Sequence, residues 1–299
     1  MKIMRFIGIV FALFSAGSPS DTSAQDSGKK YKVYMVSNSH LDTQWRWDVK
    51  ATIDDYLYNT AVQNLALLEK YPHYVFNFEG AVKYEWIKEY YPHLFERIRK
   101  FVADGRWNIS GASFEANDPN MPSSESFIRN ILLAQEFYKK EFGIKSKDMF
   151  LPDCFGFSQV MPTLGHHCGL IGFSTQKLSW RTEPLVGDSK TPFPIGLWEG
   201  VDGARIMVAL EPGRYSWNEF PEGDLSANEE LAESARKSPF GIAYRYYGNK
   251  LANGAGDHGG SALPRSIQLL EEGITNGKGP VQLVSATSSQ LYEDYMPCL

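Results

Sequence analysis

The sequence predicts an α/β fold, a single β/α barrel of about seven parallel strands, and three observations carry that prediction. Short β-rich runs alternate with stretches of helical periodicity along nearly the whole chain, the pattern of a parallel sheet with crossover helices. Seven or eight such units in about 275 residues favour a barrel over an open doubly wound sheet. No internal repeat or low-complexity linker divides the chain, so one domain over residues 25–299 is the economical count.

The elements follow in order. Lys2 and Arg5 precede an apolar stretch from Phe6 to Gly17 and a small, polar stretch ending Thr22-Ser23-Ala24. The apolar stretch is too short to span a bilayer comfortably, and residues 1–24 read as a secretory signal peptide. The mature chain is therefore expected to be secreted or periplasmic. Tyr31 to Ser37 is the first predicted strand, followed by a helix from Ile53 to Lys70. A strand at Val75 to Phe78, a helix from Lys83 to Ala103 and a strand at Trp107 to Ser110 come next. A helix from Ser124 to Phe142 precedes short strands at Met149 to Leu151 and Ile171 to Ser174. Ile195 to Trp198 and Ile206 to Leu210 flank Val201-Asp202-Gly203 as a hairpin. A helix at Glu229 to Arg236, a strand around Lys250, a helix at Ser266 to Glu272 and a strand at Val281 to Val284 complete the series.

Composition narrows the function. A formal net charge of −5 and the lack of any lysine or arginine run argue against a nucleic-acid binder. Cys154, Cys168 and Cys298 form neither a disulfide framework nor a Cys-x-x-Cys metal site.

Three constellations carry chemistry. The first is Asn38-Ser39-His40-Leu41-Asp42-Thr43-Gln44-Trp45, directly after the first strand. Strand side chains alternate, so His40 and Asp42 extend to the same side and offer an imidazole nitrogen and a carboxylate, a zinc-compatible pair. A loop histidine capped by an aspartate has the same spacing. The second is Leu151-Pro152-Asp153-Cys154-Phe155-Gly156, where an acid again follows a short apolar strand and could equally cap the next helix. The third, Asn253-Gly254-Ala255-Gly256-Asp257-His258-Gly259-Gly260, sets an acid and an imidazole in a glycine-rich loop or solvent-exposed turn. Acidic groups at three strand ends suit a glycosidase, which needs two carboxyl groups, and equally suit a zinc hydrolase. Glu79, Glu115, Asn117 and Lys177 also fall at or near strand ends; Glu115 and Lys177 are candidate substrate contacts and Glu79 reads as structural. His166-His167 read as helix-terminal residues, and His73 and His93 as surface loop residues.

The ordered set His40-x-Asp42-x-x-Trp45, Asp153-x-Phe155-Gly156 and Gly256-Asp257-His258-Gly259-Gly260 resembles the family 38 glycoside hydrolases, the bacterial α-mannosidases in particular. Gly111 to Asn120, Ser124 to Asn130 and Thr175-Gln176-Lys177 extend the resemblance, which covers Tyr31 to about Ser289. The resemblance implies a zinc-dependent, retaining α-mannosidase acting on mannose-containing oligosaccharides or glycoprotein glycans. It assigns His40, Asp42 and Asp153 to zinc, Asp153 also to nucleophilic attack, and Asp257 to general acid/base work. Trp45 would stack under the sugar, and Phe155 would line its subsite. Family members continue beyond this barrel into a helical bundle and β-sandwich domains, and the following region supplies their fourth zinc ligand, a histidine. This sequence stops at Met296-Pro297-Cys298-Leu299 with His258 as its last histidine, so His258 is the candidate for that place. A zinc-dependent carbohydrate deacetylase, or a truncated barrel that at most binds sugar, are the alternatives.

Overall fold

In the computed structural model, residues 31–178, 191–250 and 258–298 are described. β1 (Tyr31–Ser39) is buried over nearly its whole length and leads into α1 (Val49–Ala51). A π-helical turn, Thr52–Leu57, runs on into α2 (Tyr58–Lys70). The remaining elements are β2 (Phe76–Glu79), α3 (Ala81–Tyr90), α4 (Pro92–Ala103), β3 (Trp107–Ser110) and α5 (Ser124–Phe142). After them come β4 (Asp148–Phe150), α6 (Met161–His167), β5 (Gly172–Ser174), β6 (Ile195–Glu199) and β7 (Arg205–Ala209). The last are α7 (Glu229–Lys237), β8 (Ile242–Gly248), α8 (Pro264–Asn276), β9 (Val281–Ser285) and α9 (Gln290–Tyr295).

The strands form two arcs. One runs β3-β2-β1-β8, all parallel; the second edge of β1 is shared, with β9 pairing Tyr31–Met35 and β2 pairing Ser37–Ser39. The other runs β4-β5-β7-β6, with only the hairpin strand β6 antiparallel. The arcs meet at two seams: Ala112 N–H donates to the Asp148 carbonyl at 2.9 Å, and Tyr246 N–H donates to the Pro212 carbonyl at 2.8 Å. The expected α/β fold with a parallel sheet is therefore present. Among the described residues no helix is long and apolar enough to cross a membrane, and the leader predicted at 1–24 lies outside them.

Alternation places the core. Val33, Met35, Phe76, Phe78, Trp107 and Ile109 point to the helices and pack with Leu65, Leu68, Leu94 and Ile98. The intervening residues face the other way, where Tyr34, Val36, Phe150, Tyr244, Tyr246 and Tyr292 gather. That second face is unusually polar: Asn77 accepts from Asn108 Nδ2 at 2.8 Å and from Ser288 N–H at 2.7 Å. Buried strand-face polar groups persist only when hydrogen-bonded, so this lattice fixes the strand register.

Three expectations need correction. The single helix over Lys83 to Ala103 is broken at Tyr91, whose φ of −132° and ψ of 56° leave the helical region. Pro92 is the cause, since it disfavours helical geometry in the residue before it and then starts the next helix well. His93 consequently lies in the first turn of α4, not in a loop. The strand expected around Lys250 is Ile242–Gly248; Lys250 itself makes only an isolated bridge to Ser261.

Candidate active site

The first two constellations converge where β1, β2 and β4 end. His40 is 5% exposed, and its Nδ1 lies 2.7 Å from Glu79 Oε1. On the opposite edge of the ring, Nε2 is buried without a hydrogen bond, 3.2 Å from Asp42 Oδ1 and 3.9 Å from Asp153 Oδ2. An imidazole nitrogen facing two carboxylates off the line of a hydrogen bond is a donor set of the kind a borderline divalent cation takes. Among the described residues no group of three or more His, Cys, Asp and Glu side chains is drawn together as a metal-holding cluster.

Charge in this cluster is set by burial and by neighbours. Burial works against the His40 cation, yet the carboxylates of Asp42 and Glu79 push its pKa up to about 10. Burial also works against the Asp42 anion, but His40, Lys83 and His258 hold it below the usual carboxylate range. Asp153 goes the other way. Burial raises its pKa, against the opposing pull of His40 and Lys177. Lys177 is 2% exposed, its ammonium 2.5 Å from Asp153 Oδ1 and 4.2 Å from the centre of the Phe155 ring. Sequence reasoning took Lys177 as a substrate contact; its ammonium lies against the nucleophile candidate.

Glu115 is held by three donors: the Thr43 hydroxyl, Ala116 N–H at 2.9 Å and Lys83 Nζ at 3.3 Å. Burial opposes its ionisation, but Lys83 and the other donors keep it below the ordinary range. Lys83 is completely buried, and burial is outweighed by Glu115 and Glu79, which raise its pKa.

The rim is aromatic. Trp45 is 56% exposed with the Arg46 guanidinium 4.4 Å over its ring, and Phe155 is 48% exposed. The glycine-rich loop returns to the same strand end. His258 bridges Leu41, Gly259 N–H donates to the His40 carbonyl at 3.0 Å, and a Cβ on Gly259 would sit 2.5 Å from Thr60 Oγ1. With φ at +73°, that position requires glycine. The His258 ring stacks on Trp47 at 4.2 Å and meets Tyr56 edge-on at 4.6 Å; its buried Nδ1 has no hydrogen bond. Asp257 lies outside the described residues.

Sequence reasoning missed Tyr215, whose buried ring lies 5.6 Å from that of His40, and undervalued Glu79 and Lys83. Tyr215 follows a Pro-Gly-Arg turn with no periodic signal. Glu79 ends the strand next to β1, and the register Ser39↔Phe78 sets it beside His40, a lateral pairing that no local period announces. His166 and His167 end α6 as expected, and Cys154 and Cys168 are free thiols.

The chain as a whole has relatives among known proteins. Alpha-mannosidase G of Dictyostelium discoideum is 37% identical over 190 residues, 64% of this chain and 17% of that protein. Human alpha-mannosidase 2C1 is 32% identical over 259 residues, 86% of this chain and 23% of that protein. The chain thus spans less than a quarter of the length of these relatives. A crystal structure of an alpha-mannosidase from Enterococcus faecalis V583 shares the fold, with a TM-score of 0.70 at 23% identity, covering 90% of this chain and 29% of that one. The family model for the glycosyl hydrolases family 38 N-terminal domain matches residues 30–294, so the chain belongs to glycosyl hydrolase family 38 through that domain.

Proposed function

We propose that the chain is the catalytic domain of a zinc-dependent, retaining α-mannosidase that hydrolyses terminal α-mannosides of glycans. The observation that carries this reading is the Asp153 carboxylate, held by Lys177 and facing the His40 nitrogen beside Asp42. On this reading His40, Asp42 and Asp153 hold Zn2+, and His258 with its unsatisfied Nδ1 is the further ligand. The bound cation would polarise the vicinal hydroxyls of mannose and favour the flattened, oxocarbenium-like ring.

The chain's own residues do the rest. Asp153 Oδ attacks the anomeric carbon as the bond to the leaving oxygen breaks, and Asp257 gives that oxygen its proton. Asp257 then takes a proton from water, which displaces Asp153 and releases mannose with its configuration retained. Lys177 favours the ionised nucleophile against the burial that opposes it. Trp45 stacks on the sugar, Phe155 lines its subsite, and Glu115 accepts from a sugar hydroxyl. The two seam hydrogen bonds support one barrel of seven parallel strands, β1, β2, β3, β4, β5, β7 and β8. A leader read at residues 1–24 would direct the mature domain to a secreted or periplasmic setting.

The test is an aryl α-mannoside assay on zinc-loaded protein, with Asp153→Asn as control. Release of the aryl alcohol, lost in the variant, is the expected result. Acetate released from acetylated chitooligosaccharide would favour a deacetylase, and mannoside binding without turnover a sugar-binding barrel. N-terminal sequencing of the exported protein tests cleavage after Ala24.

A further inference from the structure

The least explained charged group near the site is Glu79, a carboxylate 3% exposed at the end of β2. It sits on the far edge of the His40 ring from Asp42 and Asp153, so it does not share the nitrogen they face. An ionised carboxylate only accepts hydrogen bonds, so at 2.7 Å the donor is His40 Nδ1–H. With one proton fixed on Nδ1, Nε2 is the nitrogen whose proton a bound cation would displace, freeing its lone pair for the metal. The same contact sets the ring's rotation, with Nε2 turned toward the two aspartates.

We propose that Glu79 is a positioning residue: by holding Nδ1–H it selects the His40 tautomer and aims Nε2 as a cation ligand. This rests on the reading that His40, Asp42 and Asp153 form the zinc site. Three further observations support it. Parallel pairing of β1 with β2 sets the two residues side by side on rigid strand ends rather than on mobile loops. A buried carboxylate is costly unless paired, and the fully buried Lys83 supplies positive charge beside Glu79 while it pairs Glu115 at 3.3 Å. The Lys83 ammonium would also lie 2.8 Å from a Cβ on Gly80, so the glycine after Glu79 leaves room for that cation.

The test uses the full chain, stripped of metal and titrated with zinc against a competing chelator. Wild type is expected to bind one zinc. Glu79→Ala is expected to bind about 10–100-fold more weakly. Glu79→Gln, whose carbonyl can still accept the Nδ1 proton, should recover most of that loss. If Glu79→Ala does not fold, Glu79→Asp keeps the charge but withdraws the oxygen by one methylene, and an affinity about tenfold lower is expected. Unfolding midpoints in excess chelator separate stability from affinity, and His40→Ala must abolish binding. Wild-type affinity in a folded Glu79→Ala or Glu79→Asp overturns the positioning role while the zinc site stands. Equal losses in Glu79→Ala and Glu79→Gln overturn it too, because charge and not aim would then be at work. Absence of zinc binding by wild type overturns the zinc-site reading and this inference with it.

Discussion

The two faces of the same strands differ sharply. On β2 and β3, Phe76, Phe78, Trp107 and Ile109 point into an aromatic and aliphatic layer under the helices. Their sequence neighbours Asn77, Glu79, Asn108 and Ser110 form the polar face that leads up to His40. One residue of offset thus separates the apolar layer under the helices from the polar face that runs up to the proposed site. Substitutions on the polar, strand-end side should cost activity, and those on the helix side should cost stability.

The largest expected effect tests the strand ends. Asp153→Asn should lower kcat/KM on an aryl α-mannoside by on the order of ten-thousandfold, about 5 kcal/mol of transition-state stabilisation, while leaving the melting temperature nearly unchanged. A variant that melts early instead would mean that the carboxylate is part of the scaffold. Trp107→Ala should do the reverse. Its ring is 1% exposed, packs edge-on against Phe76 at 4.8 Å, and donates from Nε1 to Tyr84 at 3.0 Å. Denaturant titration should report a loss of about 3–5 kcal/mol.

Asp148 tests the inner polar lattice. Burial pushes its carboxyl up to about 6, against hydrogen bonds from Ser288, Gly111 and Ser146. A folded pKa raised above the unfolded value contributes stability that is fully present below about 4 and is lost as pH rises through 6. Asp148→Asn should therefore gain on wild type by about 2 kcal/mol between pH 4 and pH 7, most of it by pH 6. A pH-independent difference would show that the buried carboxyl is solvated after all. The smallest effect belongs to an exposed cap. Ser123 accepts from Ser126 N–H at 3.2 Å at the start of α5, and Ser123→Ala should cost about 1 kcal/mol with no change in turnover.

The sequence made the strand and helix order legible because each segment carries its own period. The helix over Ser124 to Phe142 is met to the residue, as it runs from a serine cap to a left-handed glycine, Gly143. β8 was misplaced because Ile242–Gly248 is buried on both faces and carries three tyrosines, so no alternation marks it. At the site, His40, Asp42 and Asp153 were readable as acids and an imidazole at strand ends. Their counterparts Glu79, Lys83 and Tyr215 were not, since what makes them matter is lateral pairing between segments far apart in sequence. Lys177 was found for a substrate role, but its short contact with Asp153 needed coordinates.

The pairing of β1 has a consequence for how the chain is made. Its partners along one edge and half of the other are β8 and β9, so Lys32 waits for Ile242 and Tyr31 for Val281. At about 5–20 residues per second of synthesis, the first strand emerges roughly 10–40 s before its β8 partner exists. Throughout that interval Val33, Met35 and Val36 form an apolar strand with bare edges, the kind of segment that pairs with other chains. Folding of this domain is thus bound to its late segments. A ribosome-bound chain ending before Ile242 should need a holdase, and one that includes Ser285 should not.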